Sequence, residues 1–197
     1  MKIRTTIIAA VIGIASGSAF AQDTRAEADV QRDANQQQRI EQGLQSGQLT
    51  TREAGKLERD ETRVDRMEKR DMRNGSISPA EQARLNAAQH KASADIARDR
   101  HNGVTGNPTS ASSQRMQADV QRDANQQQRI ENGMQSGQLT NREAGKLERG
   151  QAHVNRTEAR ASRSGAVNAN EQARIEGKEN RQSNRVWNKK HNETQKY

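Results

Sequence analysis

The chain of 197 residues has no cysteine, two prolines, and one each of tryptophan, tyrosine and phenylalanine. Without cysteine there is no disulfide framework, no thiolate metal ligand and no thiol nucleophile. With aromatics at 2% and hydrophobic residues at 29%, a large apolar pocket has little to be built from. Past residue 21, 45 of 176 residues are apolar and 21 of those are alanine, leaving 24 larger apolar side chains. That share favours a thin-cored helical chain over a globular enzyme. No phosphate-cradling glycine loop is present. Ser93 and Ser183 stand eight residues before His101 and His191, too far along one helix for a nucleophile–base pair. No catalytic residue and no cofactor are expected.

Long apolar runs are confined to the start. Lys2 and Arg4 precede the apolar stretch Ile7 to Ile14, and Ala19-Phe20-Ala21 follows as a small-x-small cleavage site. Residues 1–21 therefore read as a secretory signal, with a periplasmic or secreted mature chain from Gln22. The stretch is too short to span a bilayer, so no transmembrane segment is expected after cleavage.

What the chain does have is a duplication. Ala28 to Arg59 recurs as Ala118 to Arg149 with 29 of 32 positions identical, at an offset of 90 residues. Beyond it the copies diverge, but Val64/Val154, Ile77/Val167, Leu85/Ile175 and Ile96/Val186 stay aliphatic. Residues 22–101 and 118–197 read as two helical units. The Gly-, Ser-, Thr- and Asn-rich stretch 102–117, with Pro108, reads as a flexible linker.

Apolar residues at three- and four-residue steps predict three helices per unit. The first carries Val30, Ala34, Ile40 and Leu44; the second, over about 51–73, carries Ala54, Leu57, Val64 and Met67. The third begins near Pro79 and aligns Leu85, Ala88, Ala92 and Ile96. Acidic residues on the other faces read as solvated, paired with basic neighbours four residues away. The fold class is all-α: two tandem three-helix units with short loops, joined by a flexible linker.

Four loops share the pattern small-Gly-x-aliphatic-(Ser/Thr/Asn)-x-x-Glu. Gly47, Thr50 and Glu53 define the first, and Gly75, Ser78 and Glu81 the second. Gly137, Thr140 and Glu143, then Gly165, Asn168 and Glu171, complete the set. Each glycine suits a left-handed helix end, and each Ser/Thr/Asn-x-x-Glu suits a capping box. Leu49 and Ile77 are placed to meet across adjacent loops. The pattern resembles a degenerate EF-hand, with the glycine at the loop centre and the glutamate closing it. That resemblance implies helix–loop–helix geometry and not ligation. Loop positions one, three and five, where oxygen donors belong, hold Gln42, Leu44 and Ser46, then Arg70, Met72 and Asn74. The second unit offers Asn132, Met134 and Ser136, then Arg160, Ser162 and Ser164. A leader followed by units of the form Q-R-I-E-x-G-x-x-S-G-Q-L-T-x-R-E-A also resembles small secreted proteins of Gram-negative bacteria that have no assigned activity, a likeness bearing on compartment and fold.

His101 and His191 correspond between the copies and suit the negative end of a third helix. The whole positive excess of the mature chain lies in the second unit: residues 22–110 hold 15 basic and 15 acidic residues, residues 111–197 hold 16 and 10. Arg174, Lys178, Arg181, Arg185, Lys189 and Lys190 recur at helical steps, with Trp187 among them. This set forms a candidate anionic-surface site. Trp187 either joins that surface or, as the counterpart of Ala97 next to the core position Val186, packs inward. The expected function is a non-enzymatic periplasmic binding protein that contacts a protein or an anionic envelope surface, with no sequence-specific nucleic-acid partner. The alternative is weak metal binding, for which Glu53, Glu81, Glu143, Glu171, His101 and His191 are the available donors.

Overall fold

The computed structural model describes residues 17–192, with side chains from residue 24 onward. Positions 1–16 of the expected signal lie outside the described residues. Six α-helices and no strands are found among the described residues: α1 (Gly17–Gln45), α2 (Thr51–Asp71), α3 (Pro79–Arg100), α4 (Ala111–Gln135), α5 (Asn141–Ala161) and α6 (Ala169–Lys190). No helix among them is long and apolar enough to cross a membrane.

The helix ends follow local chemistry. At the starts of α2, α3, α5 and α6, the side chains of Thr50, Ser78, Thr140 and Asn168 each accept the backbone N–H of the glutamate three residues on. Glu53, Glu81, Glu143 and Glu171 reach back to the cap residue's own N–H. Each reciprocal pair satisfies two donors that the first helical turn leaves open. Gly47, Gly75, Gly137 and Gly165 have φ between 72° and 91°, a conformation costly for any residue with a Cβ.

Helices of one repeat pack on those of the other. α2 and α5 cross in antiparallel fashion, and the crossing is close because glycine stands at both ends of it. A Cβ on Gly55 of α2 would lie 2.6 Å from Ser162 Cβ; on Gly145 of α5 it would lie 2.9 Å from Met72 Cβ. Between them, Asn155 Nδ2 donates to Asp65 Oδ2 at 3.1 Å, joining two positions that the 90-residue offset makes equivalent. α1 and α4 run antiparallel beside this pair. α3 and α6 flank the four, held alike by Arg39 donating to Ser93 Oγ at 2.6 Å and Arg129 to Ser183 Oγ at 2.7 Å.

Two apolar clusters result, and each draws on both repeats. One gathers Ala26, Val30, Val64, Met72, Ile77 and Leu85 with Ile130, Met134, Leu139, Leu147 and Val186. The other gathers Ile40, Leu44, Leu49, Leu57 and Ile96 with Met116, Val120, Val167 and Ile175. Leu49 and Ile77 therefore do not meet: Leu49 clusters with Val167 and Ile77 with Leu139, because the antiparallel crossing brings together loops from different repeats.

The linker is shorter than its composition indicates. Ser110 caps α4, so residues 111–117 are helical, and Ser113 and Met116 are buried. Ser112 Oγ accepts from Val167 N, and Arg115 donates to Val167 O, tying this segment to the fourth loop. The remaining turn is bonded to the first loop by Gly106 N–H donating to Gly47 O at 2.8 Å. Small polar residues serve here as caps and close-approach points, and not as a free tether.

Gly55→Ala is expected to destabilise the fold by about 1–3 kcal/mol through overpacking of the crossing. Gly177→Ala, on the outer part of α6 with only Arg181 Nη1 near, should stabilise by about 0.5–1 kcal/mol. Chemical denaturation of both variants checks the contrast.

Candidate functional site

Between the two apolar clusters lies a layer of buried carboxyl groups. Asp33 on α1, Glu58, Glu61, Asp65 and Glu68 on α2, Asp123 on α4, and Glu148 and Glu158 on α5 are each at most 1% exposed. No lysine, arginine or histidine is buried among the described residues, so no interior cation offsets them. These acids are not the solvated helix faces that their spacing suggests. The α2–α5 crossing turns that stripe inward, and α1 and α4 close over it.

They gather in two groups. In the first, oxygens of Asp33, Asp65, Glu68 and Glu148 lie within 4.8 Å of one another. In the second, oxygens of Glu58, Asp123 and Glu158 do the same. The 90-residue offset relates them: Asp33 to Asp123, Glu68 to Glu158, and Glu148 to Glu58, with Asn155 in the place of Asp65. Buried amides reach both. Gln127 Nε2 donates to Glu148 Oε2 at 2.9 Å, and Gln37 Nε2 to Glu58 Oε2 at 3.0 Å. Gln89 Nε2 reaches Asp33 Oδ1 and Glu68 Oε1 at 3.1 and 3.2 Å.

Enclosure shifts these groups strongly. Burial, chiefly, pushes Asp33 up to about 7 and Glu58 and Glu148 up to about 8. Glu61, Asp65, Glu68, Asp123 and Glu158 are also raised well above the ordinary carboxylate range, by burial first and then by their acidic neighbours. Nearer the surface, burial lifts Asp119 to about 6 despite its bond from Gln172.

The loop glutamates have another use. Glu53 Oε2 accepts from Thr50 N–H and hydroxyl, while its Oε1 accepts from Asn102 Nδ2 at 2.7 Å. Glu143 repeats this with Thr140 and with Asn192 at 2.6 Å, and Lys189 Nζ stands 3.5 Å away. Glu81 and Glu171 cap α3 and α6 in the same way. Hydrogen bonds from Ser78 hold Glu81 below its usual range. His101 Nδ1 lies 2.7 Å from Ala97 O and His191 Nδ1 2.7 Å from Trp187 O, at the ends of α3 and α6. None of these six donors falls in either carboxylate group.

The basic set occupies the outer side of α6. Arg174, Arg181, Arg185 and Trp187 are exposed, and Lys178, Lys189 and Lys190 are partly so. Trp187 does not pack inward: it is 56% exposed and stacks on His191 with ring centroids 4.3 Å apart. Val186 takes the core position, and the next residue along a helix points about 100° away. Arg174, Lys178 and Arg181 face Thr157, Arg160 and Ala161 of α5 across a shallow groove. His153, beside them, is lowered by burial and by Lys178, Arg149, Arg185 and Arg66. In the first repeat the equivalent face is neutralised: Lys91 and Arg98 pair with Asp95, and Arg98 and Lys56 with Asp99. Asp95 and Asp99 correspond to Arg185 and Lys189. Among the described residues, Arg174, Lys178, Arg181 and Arg185 have no carboxylate within 4.0 Å.

Comparison with protein-family models, curated proteins and solved structures returned no significant match.

A carboxyl whose pKa is higher folded than unfolded contributes stability that is complete below about pH 4 and is lost as pH rises through the folded value. For Asp33, Glu58 and Glu148 that window runs from about pH 4 to about 8. The melting temperature without added metal should therefore fall steadily between about pH 5 and 8.5. Glu61→Gln, which copies Gln151 of the second repeat and replaces one of two unpartnered carboxyl oxygens with an uncharged amide donor, should raise the melting temperature at the alkaline end and flatten the slope.

Proposed function

We propose that this chain is a non-enzymatic binding protein of the periplasm that docks on a phosphate-bearing anionic surface of the cell envelope. The observation that carries this reading is the loss of the neutralising acids on one repeat. Asp95 gives way to Arg185 and Ala88 to Lys178, while Asp99 gives way to Lys189, which turns to Glu143. Among the described residues, α6 thus presents Arg174, Lys178, Arg181 and Arg185 unpaired where α3 presents ion pairs. Guanidinium and ammonium groups spaced along a helix at water-exposed positions match a surface of repeated phosphates, and such contacts weaken with salt. The exposed Trp187 ring at the same end suits a lipid–water boundary. α3 serves as an internal control, with the same framework and a net charge of +1 against +3 for α6. A second reading, response to a metal ion, draws on a separate observation, the enclosed carboxyl groups.

Co-sedimentation with phosphatidylglycerol-containing vesicles tests the docking. Binding is expected at about 20 mM salt, weakened severely by about 500 mM, and absent on phosphatidylcholine alone. Replacing Arg174, Lys178, Arg181 and Arg185 by Gln should reduce binding at least tenfold, at about 1 kcal/mol per charge. Equal binding by that variant, or salt-independent binding, contradicts the reading. Retention by an envelope protein in place of the lipid would redirect it to a protein partner.

A further inference from the structure

We infer that the two enclosed carboxylate groups are quasi-equivalent sites for a hard divalent cation of calcium size, each assembled from both repeats. The first would take Asp33, Asp65, Glu68 and Glu148, and the second Glu58, Asp123 and Glu158. Donor type is the first support. All candidate ligands are oxygens, with no imidazole or thiolate, which selects Ca²⁺ or Mn²⁺ over zinc or copper. Spacing is the second. Oxygens on opposite sides of an ion bound at 2.3–2.6 Å stand about 4.6–5.2 Å apart, and those in each group lie within 4.8 Å. The smaller shell of Mg²⁺ fits that spread less well.

Independent support comes from atoms that have no partner. Among the described residues, no donor reaches Asp33 Oδ2, Asp65 Oδ1, Glu68 Oε2 or Glu148 Oε1 in the first group, nor Glu58 Oε1 or either oxygen of Glu158 in the second. Outside the ligand sets, Gln127 and Gln37 are each 1% exposed and bonded to a ligand carboxylate, and the Oε1 of each is unsatisfied. Buried oxygens without donors are costly, and an ion supplies what protein donors do not. The amides orient the carboxylates as outer-shell partners do in metal sites.

The duplication supports the same assignment. All three shared ligands keep their carboxylate in both copies, although Glu68 and Glu158 lie in the divergent part of the repeat. The sites are nonetheless unequal. The first has four carboxylates and the second three, because Asn155 stands in the place of Asp65 and its amide is engaged by Asp65 and Gln151. The first site should therefore bind more tightly.

The test uses the whole chain, freed of metal and supplied with Ca²⁺ or Mn²⁺ at neutral pH, both folded and during refolding because the sites are enclosed. Expected are a rise in melting temperature and saturable loss of the free Mn²⁺ electron paramagnetic resonance signal, to two ions per chain. Glu68→Gln should remove the tighter phase and Glu158→Gln the weaker, each by at least tenfold in affinity. The double variant should lose the cation-induced shift while circular dichroism confirms its helices. If that variant fails to fold, Asp33→Asn with Asp123→Asn provides the same reading. Glu53→Gln with Glu143→Gln should melt lower, from weakened caps, yet keep the cation shift, and so should the variant lacking the four α6 cations. Absence of saturable binding overturns the inference. So does an undiminished shift in Glu68→Gln/Glu158→Gln, or a shift lost only in the loop variants.

Discussion

The antiparallel crossing of α2 on α5 is the constraint on which the rest of the structure depends. Gly55 and Gly145 let the helices approach closely, and Asp65 meets Asn155 where the equivalent stripes face each other. Once those stripes are joined, every acid along them is carried inward, and α1 and α4 must cover the result. The apolar side chains are too few for one continuous core. They are divided into clusters at either end of the crossing, each shared between the repeats. A polar middle layer then follows from having so little apolar material to place there.

Duplication gives this arrangement its near-symmetry and its differences. Pairs such as Arg39–Ser93 and Arg129–Ser183, or Gln37–Glu58 and Gln127–Glu148, show one bonding scheme used twice. Among the many departures in the divergent part, two sets bear on the proposed sites. Inside, Glu61 and Asp65 become Gln151 and Asn155, which removes charge from one half of the enclosed layer at almost constant shape. Outside, acids on α3 become cations on α6. Interior and exterior have thus diverged separately, and the two proposed binding roles rest on different residues.

Much of the fold was legible in the sequence, because helix periodicity and capping are local. Thr50 and Glu53, and their three counterparts, announce helix starts through bonds that span three residues. The pairing of helices was not legible. An aliphatic stripe such as Leu57, Val64 can pack within its own repeat or against the other, and only tertiary approach decides. The carboxyl layer was hidden for a related reason. Glu58, Glu61, Asp65 and Glu68, at steps of three and four, look like a solvated helix face until a neighbour covers them. One signal was available: Asp33/Asp123, Glu58/Glu148 and Glu68/Glu158 are unchanged between copies, and the last pair holds where most surrounding positions differ. Surface acids have no such reason to persist. Trp187 lies the other way, on the outside, since adjacency to Val186 in sequence places it off the buried face.

The loops show how one pattern can serve a different end. Gly, an aliphatic and a glutamate in EF-hand-like order are all used, as a left-handed turn, a core contact and a reciprocal cap. The spare oxygen of Glu53 or Glu143 then secures the end of the same repeat's third helix through Asn102 or Asn192. Ordered loops of this kind hold the helix ends in place without asking more of the thin core.

Whether the repeats form one shared body is tested most directly by cutting the connection between them. A protease site placed between Val104 and Thr105, in the exposed turn before α4, allows the chain to be nicked after folding. Both halves are expected to co-elute as a single particle with the helicity and melting behaviour of the uncut chain. Separation into two independently folded, monomeric halves would contradict a shared body.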